Sequence, residues 1–281
     1  MTHESFPIIT IIVAVYNGAN TLQQCIDSVA NQTYFNTELI IIDGDSKDGS
    51  VDLLKANSNE ISYWISEPDQ GIYNAWNKGL AHATGDWICF LGADDYLWDN
   101  RVLEIMVRSF IDLPDDVNVA YGQVMLLTKD DKPLYTIGKP WAQVKHLFIK
   151  SMSIPHPGLM HRNSLFKTNG NFDESFCIVG DYELLLRELK INDAAFIPIV
   201  LTGVRQGGVS CNSKHSLKLL KEVRRAQIKH GFYIPSILWL IAVGKLIIRK
   251  TVWFALGESR ARKLLDFGRR IMGLPKYWTK T

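Results

Sequence analysis

The chain has 281 residues, and hydrophobic residues at 47 % with charged residues at 21 % exclude a disordered or fibrous polymer. Its net charge of +2 is a cancellation: residues 1–213 hold 15 Lys+Arg against 26 Asp+Glu, whereas residues 214–281 hold 16 against 3. Four scattered cysteines (Cys25, Cys89, Cys177, Cys211) contain no C-x-x-C pair; they exclude a disulfide framework and suit buried thiols of a reducing compartment. The start Met1-Thr2-His3-Glu4 lacks the basic region of a secretory signal, and no apolar run reaches the ~20 residues of a spanning helix. The expected location is therefore the cytoplasm.

The first hundred residues alternate strand and helix signals. Ile8 to Val15 is a run of β-branched residues that suits a strand buried on both faces. A helix is expected from Asn20-Thr21 to Asn31, with Thr21 and Gln24 spaced as a capping box. Leu39–Ile42 reads as a second buried strand, Ser50 to Ala56 as a short helix and Ile61–Ile65 as a third strand. Gly71 to Ala83 is expected to be helical, and Trp87–Leu91 to be a fourth strand. Such alternation implies an α/β fold with an open, mostly parallel, Rossmann-like sheet and helices on both faces. Farther on come a helix from Arg101 to about Leu113, a hairpin of 117–128 with 133–138, and a mixed stretch at 140–165. A helix opened by Gly180-Asp181 and a strand at 195–204 follow, and the chain is helical and basic from Leu217 onward.

In open α/β sheets, ligands collect at the carboxyl ends of the strands. Asp43-Gly44-Asp45-Ser46 ends the second strand, Asp69-Gln70-Gly71 follows the third, and Asp94-Asp95 ends the fourth. Tyr16-Asn17-Gly18 ends the first. A single Asp at a strand end is an ordinary turn former, but acids at three adjacent ends would line one crevice. Asp94 and Asp95 repel each other unless a cation sits beside them, and hard oxygen ligands suit Mn²⁺ or Mg²⁺.

Five segments in order resemble the family 2 glycosyltransferases: Ile11 to Asn17, Asp43 to Ser50, Asp69 to Gly79, Gly85 to Asp95, and His156-Pro157-Gly158 with Gly180 to Arg187. The resemblance spans roughly residues 7–210. It implies a GT-A fold in 1–213, with a nucleotide-binding half over about 1–100 and an acceptor half over about 101–213. It also implies inverting transfer of a sugar from a nucleotide-diphosphate donor, with a UDP-sugar favoured, to a saccharide or lipid-linked acceptor. Carried over by position, Ala14 and Tyr16 flank the base and ribose, Asp43 contacts one of them, and Asp69 lies at the far side of the nucleotide. Asp94 ligates the metal under the diphosphate with Asp95 close by, and Asp181 is the general base. Alone, Asp181 would read as a helix N-cap; burial and nearby Asp94 would raise its pKa to suit a base.

One departure stands out: Gly92 occupies the place where the family's metal motif often carries a first acid. It leaves open a catalytically impaired nucleotide-sugar-binding or scaffold protein. A nucleotidyltransferase is a third reading, but Tyr16 to Asn20 lacks the basic glycine-rich loop it would bring. His156 is expected either to touch acceptor or phosphate or to be a structural histidine. Trp76 and Trp87 read as packing, and Trp98 as a further acceptor contact beside the metal pair. Gly207-Gly208-Val209-Ser210 reads as either a loop over the donor or a simple turn.

The tail over 214–281 brings cations at Lys218, Lys221, Arg224, Arg225 and Lys229, then an apolar stretch Tyr233 to Gly244, then Lys245, Arg249 and Lys250. It contains no nucleic-acid motif. Apolar residues bracketed by cations suit a peripheral association with the anionic inner face of a membrane, against the alternative that the stretch packs on the catalytic body.

Overall fold

The computed structural model describes residues 6–128, 130–206 and 216–271, without the side chain of Arg269. Strand β1 (Ile9–Val15), helix α1 (Ala19–Ala30), β2 (Thr37–Asp43), α2 (Ser50–Ala56), β3 (Tyr63–Ser66), α3 (Ile72–Leu80) and β4 (Trp87–Gly92) form the alternating first half. Then come β5 (Asp95–Leu97), α4 (Val102–Phe110), β6 (Val119–Leu127), β7 (Pro133–Ile137), α5 (Trp141–Phe148), β8 (Met160–Arg162) and α6 (Asn163–Asn169). The chain continues through α7 (Gly180–Leu189), β9 (Ala195–Arg205), α8 (Ser216–Lys229) and α9 (Ile237–Ile271). The sheet runs β3-β2-β1-β4-β8-β6-β9-β5, with β7 paired to β6. Its first four strands are parallel, so all four carboxyl ends share one edge. β8 pairs antiparallel with β4 and β6, making the whole a mixed α/β sheet.

The β-branched runs are buried on both faces, as a covered parallel sheet requires. Ile12, Ile40, Ile42, Ile88 and Phe90 point into one apolar cluster with α3, α5, α6 and α7. Their neighbours Ile11, Val13, Ile41, Cys89 and Leu91 point into a second with α1, α2 and α4. The period of two along each strand separates these sets.

Several local expectations are corrected. α1 has no capping box: Gly18 is its N-cap, and Thr21 Oγ1 donates to Gly18 O at 3.3 Å. The orphan amides are satisfied from the β2–α2 loop and the start of α2, where Asp48 Oδ2 accepts from Ala19 N at 2.9 Å and Ser50 Oγ from Gly18 N at 3.1 Å. Asp181 is not an N-cap either; Val179 holds that place, and Asp181 lies inside the first turn of α7. The mixed stretch at 140–165 contains α5 and the start of α6. Cys25 and Cys89 are buried thiols, whereas Cys177 is exposed; Cys211 and the Gly207 to Ser210 segment lie outside the described residues.

The basic segment enters the packed body through α8. Ala226 is fully buried in the first apolar cluster, and Glu222 and Gln227 are buried beside it. Gln227 Nε2 donates to Ile149 O and Lys150 O at 3.2 and 3.0 Å.

Candidate active site

Two adjoining hollows of about 460 and 480 Å³ lie along the shared carboxyl edge and meet at Tyr16 and Asp69. Gly44, Asp45, Lys47 and Pro68 complete one; Ala14, Asn17, Gly71, Gly92 and Asp94 are among those lining the other. The loops that build this cleft are tied to one another. Ser46 Oγ accepts from Asn17 N at 2.7 Å, and Asn17 Oδ1 accepts from Lys47 N at 3.0 Å. Asn17 and Asp45 both adopt positive φ, at 51° and 65°. Asn and Asp are the non-glycine residues that tolerate this region best, and such conformations cluster at functional sites.

The structure thus brings Ala14, Tyr16, Asp69 and Asp94 together as lining residues, with Tyr16 and Asp94 exposed. Asp43 lies beneath them, fully buried. Its Oδ2 accepts from Ser46 N at 2.9 Å and Ser66 Oγ at 2.6 Å, while Oδ1 is buried without a hydrogen-bond partner. Close approach matters at Gly44, where a Cβ would stand 2.5 Å from Asp69 Oδ2.

Asp94 and Asp95 differ in exposure but both bring a carboxyl oxygen to Gly92, where a Cβ would meet Asp94 Oδ1 at 2.7 Å and Asp95 Oδ2 at 3.3 Å. Asp95 is 8 % exposed, and its Oδ2 accepts from Gly92 N at 3.1 Å. Burial, then the Asp94 charge, pushes its carboxyl up to about 8. Of the two acids expected at the metal, Asp94 lines the cleft and Asp95 is buried beside it. Among the described residues no three His, Cys, Asp or Glu side chains converge as a metal-holding group. A single hard carboxylate beside a diphosphate fits Mn²⁺ or Mg²⁺ held mainly by phosphate oxygens and water.

Asp181 is tied to the cleft through α3. Ile72 lines the cleft, and the next residue, Tyr73, donates its hydroxyl to Asp181 Oδ1 at 3.2 Å. Tyr182 N donates to the same oxygen at 2.8 Å. Burial lifts the Asp181 carboxyl to about 6 against these bonds, and Asp94 is not the cause. The Tyr73 ring packs so tightly on α7 that a Cβ at Gly180 would meet it at 2.8 Å.

His156 and Trp98 are placed otherwise. His156 is 5 % exposed among Trp76, Phe90 and His161, with Nε2 unpartnered, and burial pulls its pKa down to about 3. It is a neutral core imidazole, as the structural alternative has it. Trp98 stacks on Tyr96 at 6.1 Å and donates its backbone N–H to Leu201 O. That places it in the β5–β9 layer, apart from the residues lining the two hollows.

Three residues escape a reading by motif. Tyr73 stands inside a quoted segment, but its partner lies over a hundred positions away. Arg205 donates to Asp94 O at 2.7 Å and to Asp131 Oδ1 at 2.6 Å, placing a cation behind the Asp94 turn. Glu222 of α8 is the third. It accepts from the backbone N–H groups of Cys177 at 3.1 Å, Ile178 at 2.9 Å and Val179 at 3.3 Å, just before α7 begins. A carboxylate from the tail thereby holds the backbone leading into α7, while the first-turn amide of Tyr182 is met by Asp181 itself. Glu222→Ala is expected to cost about 1.5–3 kcal/mol in urea unfolding, because charged hydrogen bonds to the buried Val179 amide and the part-buried Cys177 and Ile178 amides are lost.

A family model described as Glycosyl transferase family 2 matches residues 10–164, more than half of the chain. The chain belongs to this family. As a family 2 glycosyltransferase it is 32 % identical over 184 residues to the PGL/p-HBAD biosynthesis glycosyltransferase of Mycobacterium bovis, covering 64 % of this chain and 69 % of that one. It is 30 % identical over 234 residues to an uncharacterized glycosyltransferase of Mycobacterium tuberculosis, covering 82 % and 86 %. Among solved structures, S. aureus TarS superimposes with a TM-score of 0.62 at 17 % identity, covering 90 % of this chain. The chain spans only 44 % of that TarS chain. The mannosyltransferase PcManGT from Pyrobaculum calidifontis, in complex with GDP-Man and Mn²⁺, gives 0.59 at 15 % identity, covering 95 % and 81 %. These likenesses bear out the family and GT-A fold expected from the five segments.

Proposed function

We propose that this glycosyltransferase moves a sugar, with inversion, from a nucleotide-diphosphate donor to a hydroxyl of a saccharide or lipid-linked acceptor in surface-glycan assembly. The observation that carries the reading is the hydrogen bond from Tyr73, next to the cleft-lining Ile72, to Asp181 Oδ1, a carboxyl that burial lifts to about 6. Single displacement needs no enzyme nucleophile, only a base on the face opposite the leaving group. Asp181 takes the acceptor's proton as its oxygen bonds to the anomeric carbon. The carbon–oxygen bond to phosphate breaks with its electrons, and the nucleoside diphosphate leaves. Tyr73 orients the base through Oδ1, leaving Oδ2 for the acceptor. Tyr16 and Asp69 flank the nucleotide, and Ala14 leaves room for it. Asp94 would hold Mn²⁺ or Mg²⁺, whose charge would stabilise the departing diphosphate.

UDP-sugars are the favoured donors. TarS 1–349 is known in complex with UDP-GlcNAc, and PcManGT with GDP-Man, so both donor types belong in a first panel. A thermal-shift series of UDP-, GDP- and dTDP-sugars with and without Mn²⁺ should show one nucleotide raising Tm, more so with metal. Asp94→Asn should remove the metal-dependent increment and keep most of the rest. Donor binding without transfer to any acceptor, or hydrolysis, would favour a binding protein instead. No shift with any nucleotide would refute the donor site.

A further inference from the structure

Helix α9 carries apolar residues on its outward side as well as its inward one. Leu246 is 7 % exposed, and Trp239 on the same side donates Nε1–H to Leu220 O of α8 at 2.9 Å. The opposite side presents Ile237, Ile241 and Ile248, residues whose spacing stacks them along one face. Leu240, Ile247 and Phe254 form an adjoining row, all exposed, with Phe254 94 % open to solvent. Tyr233 and Ile234, just before the helix, are exposed as well. A helix on the surface of a soluble domain normally shows the reverse arrangement, and a contiguous apolar face of this length marks an interaction surface.

The charges around it select the occupant. Lys245 and Lys250 are exposed on the two flanks of the apolar face. Lys221, Arg224 and Arg225 of α8 line a hollow of about 300 Å³ that reaches Trp239. The stretch 214–281 holds 16 Lys+Arg against 3 Asp+Glu. A second copy docked through this face would bring the same cations together. No helix among the described residues is long and apolar enough to cross a membrane. The helix also breaks at Gly257, where φ is 70°. We propose that the outward face of α9 lies in the interface of a bilayer containing anionic lipid, with its apolar rows in the acyl boundary and its cations at the headgroups. Two signals, apolar area and positive charge, are what stable peripheral binding requires.

The test uses the full chain and sedimentation with phosphatidylcholine vesicles, with and without phosphatidylglycerol. Wild type should sediment with the anionic vesicles and lose most binding at high salt. Ile241→Glu/Ile248→Glu and Lys245→Glu/Lys250→Glu should each cut partition by about tenfold or more. All four positions lie outside the core, so unfolding midpoints should match wild type. Ile241→Ser/Ile248→Ser gives the same direction should the glutamates disturb the helix. Wild type remaining in the supernatant, or partition indifferent to the isoleucine changes, would overturn the proposal. So would a dimer in analytical ultracentrifugation that those changes dissociate, without vesicle binding. The readout is partition rather than transfer, so it stands apart from the chemistry assigned to Asp181.

Discussion

Asp181→Asn is expected to lower turnover by about three orders of magnitude, within the range ascribed to a positioned general base, while the donor Kd stays essentially unchanged. Asparagine keeps an oxygen for the Tyr73 hydroxyl and Tyr182 N–H, so the helix start should persist. Only proton acceptance is lost. Wild-type kcat/KM should fall as pH drops through about 6, since protonation of the Asp181 carboxyl removes the base. The same shift carries a stability cost with a definite sign. The folded-state pKa lies above that of a carboxylate in the unfolded chain, so ionisation opposes folding. The cost is complete above pH about 6 and vanishes as pH falls toward the unfolded-state value. The asparagine variant should therefore melt higher than wild type at neutral pH, with the difference closing on acidification. Turnover retained in the variant would sink the assignment of the base.

Glu183→Ala should produce the largest loss of stability, about 3 kcal/mol, measured by urea unfolding. The carboxylate is fully buried in α7 and accepts from Arg187, from Lys229 Nζ at 2.9 Å and from His230 Nε2 at 2.8 Å. Burial pushes the Glu183 carboxyl up, and the bonds from Arg187, Lys229 and His230 more than reverse this, leaving it below its ordinary value. Its stabilisation is thus present above the unfolded-state carboxylate pKa and is lost as pH falls through the lowered folded value. Truncation leaves the Arg187 guanidinium, with a side chain 16 % exposed, without its carboxylate, and severs α7 from the end of α8. Lys229, with a side chain 44 % exposed, recovers water and keeps the loss toward the lower end of the range for buried pairs. Glu183→Gln should fall between alanine and wild type, since it preserves the shape and one acceptor. Unfolding free energies equal to wild type in both variants would show that the cluster contributes no net stability.

The parallel half was legible because its strands are continuous apolar runs bounded by turn residues, a pattern only a doubly covered sheet tolerates. The acidic strand ends were legible for the same reason: parallel order brings them to one edge without knowledge of any side-chain geometry. α5 was missed, although Trp141, Val144 and Phe148 are its buried residues, since eight residues after a proline give too short a period to register. The capping box failed because the competing acceptors, Asp48 and Ser50, sit before and at the start of α2. His156 could be read either way until its neighbours were known; four aromatic rings around it exclude a charged role.

By itself the sequence determined the family, the parallel core, the identity of the cleft acids and the split between an acidic body and a basic tail. These rest on local periodicity, motif order and composition. Tertiary structure alone decided that Asp95 is buried while Asp94 is exposed, that Tyr73 holds Asp181, and that Glu222 anchors the backbone leading into α7. It also decided that an apolar row of α9 faces outward. Each depends on contacts between segments distant in the chain, and burial, which sets both pKa and exposure, exists only once those segments have packed.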